Sequence, residues 1–156
     1  MGPENTFTLV TMNALGGVLI SEGRYAEAEK LDRETLEIQR RMLGPEHPNT
    51  AGTMQNLAIA LADETHYAEA EKLDREILDI RRRVLGPEHS ATLETMHNLS
   101  NVLSSEGRYA EAETLDRDTL AIRSRILGPE HPETLESMVS LSADLTSQVT
   151  SLKRKD

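Results

Sequence analysis

Three of the five histidines recur in one setting. His47, His89 and His131 each follow a glutamate in a Gly-Pro-Glu-His stretch. Imidazole beside carboxylate can bind a metal or act as a general base where such groups converge. These three stand 42 residues apart, about one structural unit, which is too far for a shared ion; a role at helix starts suits them better. His66 and His97 are single. The absence of cysteine removes thiolate ligands, disulfides and Cys nucleophiles. No Ser–His–Asp order, glycine-rich phosphate loop or paired buried carboxylates emerge. The chain therefore reads as non-enzymatic, with no cofactor and no metal. Asn98 opens an Asn-Leu-Ser triplet, the form of a glycosylation acceptor, but it lies inside a helical pattern without a secretory leader and reads as chance. What remains is hydrogen-bond chemistry, carried by side-chain amides that can serve both donors and acceptors of a peptide backbone.

The elements that hold these groups repeat. Gly44, Gly86 and Gly128 are spaced by 42, and the same step backwards lands on Gly2. Tyr25, Tyr67 and Tyr109 fall in register, as do the stretches AEAEKLDRETL from Ala26, AEAEKLDREIL from Ala68 and AEAETLDRDTL from Ala110. No gap is needed. Three units, at about 2–43, 44–85 and 86–127, precede a partial fourth at 128–152 in a single array.

Each unit reads as two helices. Met54, Leu57, Ala58 and Leu61 have helical spacing in the first helix of the middle unit. The second helix is predicted from about Ala68 to Val84, with Ala70, Leu73, Ile77, Leu78 and Ile80 facing inward. Gly23 and Gly107 suit a left-handed helix end, a place Thr65 takes in the middle unit. Gly86-Pro87 stops a helix, and Pro48 suits the first turn of the next. Glu29–Arg33, Glu71–Arg75, Glu113–Arg117, Glu37–Arg41 and Asp79–Arg83 are acid-before-base pairs four apart, each contributing about 0.2–0.5 kcal/mol on a solvated face. Arg81–Arg83 read as solvated cations near a helix C-terminus. Small residues recur at Gly16, Ala58 and Ser100, and at Ala28, Ala70 and Ala112, so the paired helices should approach closely. Met12, Met54, Met96 and Met138, with Leu15, Leu57, Leu99 and Leu141, are expected to fill the layer between units. A last helix from about Pro132 to Leu152 has Leu135, Met138, Leu141, Leu145 and Val149 as its apolar stripe. Its remainder, including Ser137 and Asp144, is polar, and it should act as a solubilising cap.

These positions resemble the tetratricopeptide repeat family, and the 42-residue period with segments such as MQNLA at Met54–Ala58 resembles its kinesin light chain type. Similar arrays occur in fungal and bacterial proteins, often beside a nucleotide-binding signalling domain. The resemblance implies an all-α fold, in which helix pairs stack as a right-handed superhelix with the first helices lining a concave groove. Asp32, Asp74 and Asp116 stand where the family usually has an aromatic or similar residue. Thr35, Ile77 and Thr119 are bulkier than usual. Met1 replaces the Leu of the other loops, so the chain opens inside a loop, as a cut piece or an engineered array would.

On that scaffold the groove residues are expected to be Asn13, Gln55, Asn56 and Ile59, then His97, Asn98, Asn101 and Ser104. The surface is nearly uncharged and lacks the Lys and Arg that kinesin light chains offer acidic peptides. Asn56 and Asn98 occupy equivalent places, and both should be dispensable for folding. The expected function is a protein–protein interaction module that binds a peptide or protein segment, as part of a larger adaptor or signalling protein. The alternative is a structural or self-assembling scaffold. Net charge of −10 argues against nucleic acid. No apolar run reaches the roughly 18 residues of a membrane span. A cytoplasmic monomer, or weak end-to-end association, completes the expectation.

Overall fold

Each Gly-Pro-Glu-His loop is a stop followed by a start. Gly44, Gly86 and Gly128 hold φ of +88°, +93° and +93°, a left-handed backbone that glycine alone adopts without steric cost. Three residues on, the histidine caps the next helix. Nδ1 of His47, His89 and His131 accepts the backbone N–H of Asn49, Ala91 and Glu133 at 3.2, 3.2 and 3.3 Å. A ring nitrogen thus does what a Ser or Asp oxygen usually does, and as an acceptor it carries no proton.

The structure, a computed structural model, describes residues 5–154. The first loop copy at Gly2–Glu4, with Met1, lies outside them, as do Lys155 and Asp156 of the basic end. Among the described residues the elements are α1 (Thr6–Ser21), α2 (Tyr25–Met42), α3 (Pro48–Asp63), α4 (Tyr67–Val84), α5 (Ser90–Ser105), α6 (Tyr109–Ile126) and α7 (Pro132–Lys153), with no strand. The fold class is all-α, in helix pairs, as the repeat predicts. The first helices end on a left-handed residue: Gly23 at φ +71°, Gly107 at +77° and Thr65 at +66°. The next N–H, of Arg24, His66 or Arg108, returns to the carbonyl of Leu19, Leu61 or Leu103 at 2.8–2.9 Å, closing a Schellman turn. Thr65 holds a conformation that a β-branched residue adopts only under strain.

The chain divides between Val84 and Leu85 into two compact units. In the first, α1 packs on α2 and α3, α2 on α3, and α3 on α4. In the second, α6 packs on α5 and α7, which also touch each other. Close approach rests on the small residues: Ala28, Ala70 and Ala112 are wholly buried. A Cβ added at Gly16 would collide with the carboxylate of Asp32.

The Met–Leu series is buried on α3 and α5 but not on α1 and α7. Met54, Leu57, Met96 and Leu99 are buried. Leu15 is 48% exposed and Met138 38%, while Met12 and Leu141 are half-buried. The cause is plain on α1. Ala60 of α3 packs with Leu19 and with Ala28 and Leu31 of α2. Val18, its counterpart one repeat earlier, has no earlier helix over it among the described residues and is 49% exposed.

Helix α7 departs from expectation in the same way. It buries Thr134, and with it Ser137 and Asp144, two of the residues that read as its polar side. Leu135, Met138 and Val149 of its apolar stripe are exposed. The counterparts Leu93 and Met96 of α5 are buried where α6 follows; no second helix follows α7 among the described residues.

The surface pairs Glu29–Arg33, Glu71–Arg75 and Glu113–Arg117 close at 2.7–2.8 Å. Arg83 pairs with Glu46 at 2.7 Å rather than with Asp79. Arg81 is not a solvated cation: it is buried, because α3 offers it Gln55 Oε1 at 2.8 Å.

Candidate functional site

The first helices α1, α3, α5 and α7 carry the residues singled out above, and the two units use them differently. In the first unit the amides face one another. Asn56 Nδ2 donates to the backbone carbonyl and to Oδ1 of Asn13, both at 3.1 Å. Asn13 Nδ2 donates to the carbonyl of Asn49 at 3.2 Å. Room for this ladder comes from Gly52, where a Cβ would stand 3.0 Å from Asn13 Nδ2. Asn13 and Asn56 therefore tie α3 to α1. Gln55 is no groove residue. It is only 6% exposed, turned inward by its place one residue before Asn56, and it accepts the buried Arg81. Ile59 is half-buried on the same helix.

In the second unit the first-helix surface opens. His97 and Asn98 of α5 line a hollow of about 460 Å³, together with Ser90, Ala91 and Glu94 of the same helix. Arg123 at the end of α6, and Glu133 and Glu136 of α7, complete the lining. His97 Nε2 lies 3.3 Å from Asn101 Nδ2 and 3.8 Å from Glu136. Asn101 is exposed beside the hollow. Ser104 donates to Asp144 Oδ1 and ties α5 to α7. The surface is not uncharged, since Glu94, Glu133 and Glu136 surround it. These glutamates escaped the sequence reading because two of them belong to α7, which was read only as a cap.

Arg123 forms the floor. Its side chain is 4% exposed. Nη1 donates to Ser137 Oγ at 2.8 Å and to the carbonyl of Glu133 at 3.0 Å. The carboxylates of Glu133 and Glu136 lie 3.5 Å from its guanidinium. A cation taken out of water needs such partners.

The second helices hold a feature that the sequence showed only as a departure from the family pattern. Asp32, Asp74 and Asp116 are all buried. Burial pushes Asp32 up to about 7, and neither of its oxygens has a hydrogen-bond partner. Burial also pushes Asp74 to about 7, against the pull of Arg81 and the nearby Gln55 side chain. Asp116 is raised by burial, opposed by the Ser100 hydroxyl and reinforced by Asp144. Asp32 faces Gly16 and Asp116 faces Ser100, the small residues of their paired first helices. The signal was legible: Ala28, Asp32, Thr35 and Gln39 share one helical face.

One further group converges. Glu29, Glu64 and His66 bring ligand atoms within 4.8 Å of one another. Glu29 is held below its ordinary range by Arg33 first, then by a bond with Glu64. Glu64 is raised by that same bond. In the sister copies an arginine stands in place of His66: Arg24 bonds Glu22 and Glu27, and Arg108 bonds Glu106 and Glu111.

Two sequence profiles described as tetratricopeptide repeat match the chain, at residues 7–73 and 92–133. Among curated proteins, none matches. Among solved structures, the nearly identical TPR-like repeats of a kinesin light chain-like protein from Podosopora anserina are similar, with 26% identity and a TM-score of 0.83 over 94% of this chain and 68% of that one. A variant of those same repeats, also solved, gives 26% and 0.83 over 95% and 69%. BtubC (BKLC) from P. vanneervenii shares the fold, with 20% identity and a TM-score of 0.83 over 90% of this chain and 56% of that chain.

Proposed function

Because the chain belongs to the tetratricopeptide repeat family, whose arrays generally mediate protein–protein interaction or scaffolding, we propose that it holds a peptide or protein segment of a partner against its first helices, as part of a larger adaptor or signalling protein. The supporting observation is the hollow of the second unit, where two successive first helices present His97, Asn98 and three carboxylates around one opening. An extended segment rises roughly 3.3 Å per residue and can offer backbone groups to the amide of Asn98 and a side chain to the hollow. No helix of the described residues is long and apolar enough to cross a membrane, and the acidic balance disfavours nucleic acid; a cytoplasmic protein partner fits both.

The test is selection of short peptides from a displayed library on the full chain, followed by titration of those recovered. Asn98→Ala with His97→Ala should weaken the recovered peptides by about tenfold, which is about 1.4 kcal/mol, with melting unchanged. Undiminished affinity in the folded double variant would place binding elsewhere.

A scaffold reading has its own observation. Phe7, Val10, Leu15 and Val18 of α1 and Leu135, Met138 and Val149 of α7 are exposed apolar side chains on end helices, which favours stacking on further repeats. Sedimentation velocity across a concentration series separates the two readings. Growth with concentration supports stacking, and a constant monomer supports peptide binding alone.

A further inference from the structure

The charges around the second unit's hollow do not balance. Arg108 is closed by Glu106 and Glu111 at 3.0 and 2.7 Å, and Arg117 by Glu113 at 2.8 Å. Arg125 is paired with Glu88. None of those three arginines lines the hollow. The guanidinium that does, Arg123, is buried and anchored to Ser137 Oγ and to a backbone carbonyl. It approaches Glu133 and Glu136 only to 3.5 Å, well beyond the 2.7–2.9 Å of a full charge-assisted bond. Both carboxylates are about half exposed, so they keep acceptor capacity toward the opening. Glu94 adds a third, exposed carboxylate from α5. Three acceptor groups thus stand on two helices around a space large enough for a long side chain, with one buried cation among them.

We propose that this hollow seats an arginine side chain from a basic segment of a partner protein. The inference rests on the peptide-binding reading above and names the chemistry of that partner. Arginine suits the site better than lysine. Its planar guanidinium offers five donors in fixed directions, enough to reach carboxylates on α5 and α7 at once, whereas an ammonium is a compact, strongly hydrated charge. Asn98 and His97 beside the hollow remain for the backbone of the segment. The overall charge of −10 adds long-range attraction, which raises the association rate and fades with salt. An acidic segment would meet Glu94, Glu133 and Glu136 unscreened.

The test uses the full chain and fluorescein-labelled extended peptides identical except at one central position, which is arginine, lysine, alanine or glutamate. Anisotropy at low salt should show the arginine peptide binding at least about tenfold tighter than the alanine peptide. Lysine should fall between them, and glutamate should bind weakest. Glu94→Gln with Glu136→Gln should bring the arginine peptide down to the alanine level while the alanine peptide's own affinity stays unchanged. Glu94→Lys should do so as a single change. Asn98→Ala should weaken all four peptides alike. If all four bind equally well and Asn98→Ala still weakens them, the groove reading stands and the arginine seat is wrong. If none binds or perturbs the amide NMR signals of α5 and α7, both fail. If free arginine binds as tightly as the arginine peptide, the hollow is a small-molecule site and the partner segment is wrong.

Discussion

In the first unit Arg81 reaches back to Gln55 on α3, while Arg123, its counterpart 42 residues on, bonds Ser137 and the Glu133 carbonyl on α7. The residue in the place of Gln55 is His97, which offers no amide oxygen. One exchange at a repeated position thus removes the acceptor that the paired first helix offers the buried arginine. The first helix that loses the bond faces a hollow. The asparagines tell the same story: Asn56 is bonded to Asn13, and Asn98 lines the opening. A repeat position fixes where a side chain stands; the neighbour it meets fixes what it does.

The shared packing should break equally in both units. Ala70→Leu and Ala112→Leu insert bulk at wholly buried sites, and each should cost about 3 kcal/mol in denaturant unfolding. A harmless change at either site would show that the alanines do not set the helix distance.

A smaller effect separates the copies by pH. Asp32 stands at about 7 when folded and returns to about 3.9 when unfolded. Between those values the folded chain holds the extra proton, so this group's contribution is full below about 3.9 and is lost progressively as pH rises to about 7. Glu27 and Glu69, held down by Arg24 and Arg33, act oppositely and lose stability only as pH falls through the ordinary carboxylate range. Melting should therefore be higher near pH 5 than near pH 8. The gain from Asp32→Asn should be larger at about pH 8 than at about pH 5, by about 2–3 kcal/mol. A pH-independent effect would mean that Asp32 is ionised throughout.

Exchanging the two first-helix residues sharpens the contrast further. Gln55→His should cost about 1–2 kcal/mol, since the buried Arg81 loses an acceptor, whereas His97→Gln should cost nothing and draw Arg123 toward α5. Equal costs would deny that this position supplies an acceptor to the buried arginine. The smallest difference concerns the asparagines. Asn56→Ala should lose about 1 kcal/mol, and Asn98→Ala less than about 0.5 kcal/mol, both read by thermal melting.

Much of this was legible from spacing. The loops, the helix bounds, the histidine caps and the tight alanines all follow from a period without gaps, because each is set within one helix or one turn. The use of the polar groups was not. Gln55 and Asn56 are adjacent and both polar, yet one residue of helical rotation separates a buried acceptor from an inter-helix tie. Arg81 reads as part of a charged run until its acceptor on α3 is seen. The apolar stripe of α7 reads as core, because a sequence does not say which of its two neighbours is present.

Gly16 and Asp32 carry a consequence for how this sequence can change over generations. A side chain at Gly16 meets the Asp32 carboxylate, so Gly16→Ala requires that carboxylate to move. The later copies hold both groups at once, Ala58 with Asp74 and Ser100 with Asp116. The helix propensity that alanine adds, roughly 1 kcal/mol, is therefore offset at Gly16 by the cost of moving Asp32. The two positions are coupled, and the value of a substitution at one depends on the residue at the other.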